Sequence, residues 1–102
     1  MAKRLQAITP GAILLDEFMA EYGLSQNRLA IALKVPVSLI NRVVNNKYRI
    51  NADLALRLAA YFGTSAQFWM NLQTSYDLRL AERLNGRKVK KEIQPVQQEQ
   101  VA

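Results

Sequence analysis

The sequence predicts an all-α protein: five helices organised around a helix-turn-helix, followed by a flexible C-terminal tail. Three observations carry that expectation. Apolar residues recur at helical spacing in successive stretches, each preceded by a capping residue. Within Leu24–Asn45, LSQNRLAIALKVPVSLINRVVN, two short helical patterns are separated only by Lys34-Val35-Pro36, a break too short for antiparallel helices. Helices joined that way cross steeply, which is how a second helix is presented to the DNA major groove. The basic charge also concentrates there: residues 23–50 carry Arg28, Lys34, Arg42, Lys47 and Arg49 with no acid, +5 of a net +6, as phosphate neutralisation requires.

The first helix opens with Thr9 as cap and Pro10 at the first helical position, where a missing N–H costs nothing. Ile13, Leu14, Phe18 and Tyr22 repeat on its inner face, Asp16, Glu17 and Glu21 take the outer one, and Gly23 supplies a left-handed end. Ser25 caps the second helix and Gln26 sits in its first turn, over the sugar-phosphate backbone in such a motif. Leu29 and Leu33 face the core, and Ala30 is small enough for close helix approach. Lys34 falls where such turns most often have glycine, so a non-glycine residue is expected at positive φ.

Pro36 and Val37 open the third helix, with Ile40, Val43 and Val44 inward. Val37, Ser38, Asn41 and Arg42 are left as the reading face. Ser38 and Asn41 can hydrogen-bond base edges, Arg42 can take a guanine or a phosphate, and Val37 can pack on a thymine methyl. Plainer readings stand beside these: Ser38 as a helix cap, Asn41 and Arg42 as solvated side chains. Leu39 is expected in the core or at its margin, with a methyl contact on the DNA-facing side as the alternative. The loop Asn45–Arg49 follows, where Asn46, Lys47, Tyr48 and Arg49 join Gln26 and Arg28 as candidate phosphate contacts; Tyr48 has packing as an equal alternative.

Asn51 caps the fourth helix, with Leu54, Ala55, Leu58, Ala59 and Phe62 inward and Gly63 at its end. Ser65 caps the fifth, whose stripe Phe68, Trp69, Leu72, Tyr76 and Leu80 is rich in aromatics. That surplus reads as a dimer or partner interface, with core packing as the alternative. From Asn85 the apolar pattern stops, giving an N-terminal arm over 1–8, the domain over 9–84 and a basic, glutamine-rich tail over 85–102.

Composition narrows function further. A chain of 102 residues suits one domain, and no apolar run approaches the roughly 18 residues a membrane span needs. The start, MAKRLQAITP, lacks the apolar stretch of an export signal. The absence of cysteine and histidine removes disulfides, thiolate chemistry, imidazole catalysis and the usual zinc sites. The eight carboxylates are scattered, and no glycine-rich phosphate loop occurs. No enzyme, catalytic residue, metal or cofactor is expected.

Residues 10–81, PGAILLDEFMAEYGLSQNRLAIALKVP continuing through INRVVNNKYRINADLALRLAAYFGTSAQFWMNLQTSYDLRLA, resemble the HigA-type antitoxins of bacterial toxin–antitoxin modules. These belong to the Xre and lambda-repressor-like helix-turn-helix superfamily. The LSQ…LA…L…V segment is shared across that superfamily; the block from Arg49 to Leu78 is more specific to the antitoxins. The resemblance implies a cytoplasmic, nucleoid-associated homodimer that binds a palindromic operator, represses its own operon and neutralises a RelE-like messenger RNA endonuclease toxin. By position, Gln26, Val37, Ser38, Asn41 and Arg42 match the family's DNA-facing residues, and Lys47 its backbone-contact loop. The sequence departs at Lys34 and Asn46, where the family usually has glycine, and at Val37-Ser38-Leu39, which replaces proline-serine-arginine. A stand-alone Xre-type regulator and a protein-interaction module on the same fold are the alternative readings.

Overall fold

The structure, a computed structural model, describes residues 8–96; the N-terminal arm up to Ala7 and the tail from Gln97 lie outside the described residues. Five helices follow in order. The first, α1, covers 10–22 and contains a π-helical segment, Leu14–Met19, between the α-helical Pro10–Ile13 and Ala20–Tyr22. Then come α2 (Gln26–Leu33), α3 (Val37–Val44), α4 (Ala52–Phe62) and α5 (Ala66–Glu92). No strand occurs among the described residues.

Each expected cap is present. Thr9, Ser25, Asn51 and Ser65 accept hydrogen bonds from the backbone N–H three residues on, at 2.9–3.1 Å. Gly23 and Gly63 end α1 and α4 in left-handed geometry. The π-helical segment shifts the buried face of α1: Leu14 and Met19, five residues apart, are both buried, whereas Tyr22 is 61% exposed. A plain 3.6-residue repeat points to Tyr22 and passes over Met19.

Twelve apolar residues from all five helices and the loop at Ile50 form the core. Trp69 is its largest fully buried member, with Phe18 4.7 Å and Phe68 5.0 Å from its ring centre. Its indole N–H donates to Thr64 Oγ1 at 2.7 Å, which satisfies the one polar atom the ring carries inward. Gly11 lies where α1 meets the C-terminal end of α3; a Cβ there would fall 2.3 Å from the Val43 carbonyl oxygen.

The expected break at Asn85-Gly86 is corrected: α5 passes through both and ends at Glu92. Asparagine and glycine weaken a helix without stopping one whose surrounding residues are mostly Lys, Arg, Glu and Leu. Lys90 and Lys91 in the last turn also suit the negative end of the helix dipole. The outer half of α5 thus projects from the bundle, and the molecule measures 57 × 33 × 22 Å. No helix among the described residues is long and apolar enough to cross a membrane.

Candidate nucleic-acid interface

The turn between α2 and α3 is made by Lys34, held at φ 60° and ψ 47°. Its N–H and that of Val35 return to the carbonyls of Ala30 and Ile31, so the left-handed residue closes the end of α2 as glycine would, at a strain of order 1 kcal/mol. Pro36, extended at ψ 144°, caps α3 without a side-chain hydrogen bond. Ser38 is therefore not the cap, and its hydroxyl is exposed one position into the helix.

Ile40 and Val43 are buried and Leu39 packs against the core. This orients Val37, Ser38, Asn41 and Arg42 outward together, all exposed. Across the turn, the Asn41 side-chain amide donates to Gln26 Oε1 at 3.1 Å. The first turn of α2 and the middle of α3 are thereby joined on the outer surface, and each amide keeps hydrogen-bonding capacity for a further partner. The Asn45 side chain donates to the Asn41 carbonyl at 2.8 Å and closes α3.

The loop after α3 turns on Asn46, at φ 59°, a conformation asparagine tolerates better than most side chains. Lys47 N–H bonds the Arg42 carbonyl at 2.7 Å, leaving the Lys47 side chain exposed beside the reading face. The Arg42 guanidinium lies over the Tyr48 ring, 5.4 Å from its centre, so Arg42 leans towards the loop as well as outward. Tyr48 is 37% exposed, and its hydroxyl accepts from the Asn51 side chain at 3.4 Å. Arg28 is exposed and Gln26 half-buried, both in the first turn of α2.

Arg49, expected as a phosphate contact, keeps its side chain 56% exposed and has its guanidinium paired with the Asp77 carboxylate on α5. Burial pushes the Asp77 carboxyl upward, but hydrogen bonds from Arg49 and Gln73 and the Arg49 charge outweigh it and hold the group below its ordinary value of 3.8. Trp69 is not an interface residue, because it is wholly buried within the chain. Phe68 and Leu72 also pack against the core, while Tyr76 and Leu80 keep part of their surface and line a 230 Å³ cleft with Pro10, Val43 and Tyr48.

Gln73, which periodicity passes over, holds the site in place. It is 4% exposed, accepts from Ile50 N–H at 2.7 Å and donates to Asp77 at 3.0 Å. The loop behind the reading face is thus tied to α5 by a buried polar chain. A polar residue four positions after Trp69, on an otherwise apolar face, is the signal that marks it. Arg57 makes a parallel tie, donating to the Leu33 carbonyl at 2.9 Å while paired with Asp53.

Residues 15–69 match the family model described as helix-turn-helix. Pseudomonas aeruginosa antitoxin HigA, solved with the higBA promoter, superposes with a TM-score of 0.85 at 49% identity, over 88% of this chain and 98% of that one. This chain belongs to the HigA-type antitoxins. Antitoxin GraA in complex with its operator superposes at 0.83 and 40% identity, over 88% and 91% of the two chains. Virulence-associated protein I of Dichelobacter nodosus is 51% identical over 78 residues, 76% of this chain and 72% of that protein. As a HigA-type helix-turn-helix protein the chain is not an enzyme.

Proposed function

We propose that this chain is a sequence-specific DNA-binding antitoxin that represses its own operon as a dimer and neutralises a RelE-like messenger RNA endonuclease toxin. The observation that carries the DNA half is the outward set Val37, Ser38, Asn41 and Arg42 on α3, braced by Gln26 and flanked by Lys47. Side chains on one helical face can meet base edges in the major groove, and cations beside them can meet phosphates. The two similar structures described with promoter or operator DNA support the same assignment.

The dimer rests on α5. Tyr76 and Leu80 retain surface, and Leu78 (65%) and Val89 (51%) are exposed along the same helix. A two-fold pair would set its recognition helices roughly 34 Å apart and read a palindrome in successive major grooves. The toxin half rests on family membership.

Electrophoretic shift on the chain's own upstream DNA, against random DNA at ~150 mM salt, tests the first half; equal affinity for the two removes sequence-specific repression. Co-expression with the product of the adjacent gene tests the second. Restored growth and co-purification are expected, and growth arrest by the neighbour that this chain does not relieve would leave a stand-alone regulator.

A further inference from the structure

We infer that the projecting end of α5 is a second DNA contact, in which Lys88 and Lys91 take backbone phosphates beside the segment that α3 reads. The inference rests on the assignment of α3 as the reading helix.

It follows from helical register. Asp77 points from α5 to Arg49, in the loop that continues the reading face. At about 100° per residue, Leu84, Lys88 and Lys91 return to within about 20°, 20° and 40° of the Asp77 direction. One ridge therefore starts at the loop, where Gln73 and Asp77 grip Ile50 and Arg49, and ends in two lysines. At 1.5 Å per residue those lysines stand about 16 and 21 Å beyond Asp77 along the axis. Of the acids near this ridge, Asp77 is paired with Arg49, and Glu92, one turn beyond Lys88, stands about 60° from the Asp77 direction.

The projecting segment has no packing of its own. Every residue from Ala81 to Glu92 except the half-buried Gly86 is exposed, with Leu84 at 69%. A helix without tertiary support is marginal in water, and one with cations along a ridge continuous with a basic face gains stability from a polyanion laid against it. Arg83 and Lys90 stand about 120° and 140° from the Asp77 direction. They lie off the ridge and serve as an internal comparison.

The test is salt-dependent binding of the full chain to an operator duplex extended on both sides, followed by fluorescence anisotropy. Lys88→Gln with Lys91→Gln should flatten the log K against log salt slope by about 2 per bound protomer. The ratio of operator to random-sequence affinity should hold, because phosphate contacts carry no sequence information. Arg83→Gln with Lys90→Gln removes the same charge and should leave the slope near that of the parent. Equal flattening by both pairs reduces the effect to net charge and overturns the assignment, as does an unchanged slope. If the Lys88/Lys91 variant instead loses dimers by sedimentation while its slope per protomer stands, the ridge serves a second copy and the inference fails. A parent chain without operator preference overturns the reading of α3 instead, a separate result.

Discussion

Asn41 of α3 donates its side-chain amide to Gln26 of α2 at 3.1 Å, across the turn made by Lys34. The two carboxamides form a unit: Gln26 fixes which way Asn41 faces, and Asn41 limits where Gln26 can reach. Asn41→Ala is expected to weaken operator binding by about 1–3 kcal/mol and to relax base preference. Because the pair acts together, Gln26→Ala combined with Asn41→Ala should lose less than the two single losses added, with a coupling of about 0.5–3 kcal/mol. A double-mutant cycle on operator affinity measures this, and strict additivity would show the contact to be idle in the complex.

Lys47 behaves differently because it is a point charge beside the reading face. Lys47→Ala should weaken operator and random DNA by the same factor and reduce the salt slope by about 1. A change confined to operator DNA would move Lys47 into the base-reading set.

Gly11→Ala tests the contact between α1 and α3. The added methyl meets the Val43 carbonyl at 2.3 Å and that of Val44 at 2.9 Å, both backbone atoms that cannot rotate aside. Overpacking of this kind costs about 1–3 kcal/mol, and for a domain of this size each kcal/mol lowers Tm by roughly 4–8 °C. Thermal unfolding without operator DNA gives the answer; an unshifted Tm would mean that α1 moves away freely.

The Asp77 pair should leave a pH signature. Its carboxyl is held below 3.8 in the folded chain, so its stabilising contribution is complete above that value and disappears as pH falls through the folded-state value. The stability difference between the parent and Asp77→Asn should accordingly be constant near neutrality and shrink in acid below about 3.8. Denaturant unfolding across that range checks it, and a difference that persists in full at the acid end assigns the effect to lost hydrogen bonding.

Gln73→Leu keeps similar bulk and removes the acceptor for Ile50 N–H. A buried donor without a partner costs about 1–3 kcal/mol. Unfolding midpoints at neutral pH measure the loss, whereas a stabilised variant would show that water reaches the loop.

What the sequence revealed and what it hid divide along a physical line. Caps at Thr9, Ser25, Asn51 and Ser65 are local, each needing only a side chain and an N–H three residues on, and so are the left-handed positions at Lys34 and Asn46. The outward placement of Val37, Ser38, Asn41 and Arg42 follows from the period of one helix. The roles of Gly11, Gln73 and Arg49 depend on elements far apart in the chain, which no local pattern encodes. Trp69 misled because an aromatic surplus has the same composition whether it faces inward or outward; here Phe18 and Phe62 of other helices enclose it. At Asn85-Gly86 local breaker chemistry pointed to a stop, and the residues around the pair sustain the helix.

Gln73 has one more effect, on position. A purely apolar seam permits small slides of one helix along another, because dispersion contacts exchange for similar ones. A single buried amide with one acceptor site for Ile50 N–H permits one axial setting only. α5 is therefore indexed to the reading face like a mark on a scale, and its outer end stands at a set distance from α3. In a two-fold assembly joined through α5, that distance would become the spacing between half-sites, so the separation of two DNA sequences would be written in a residue that touches neither.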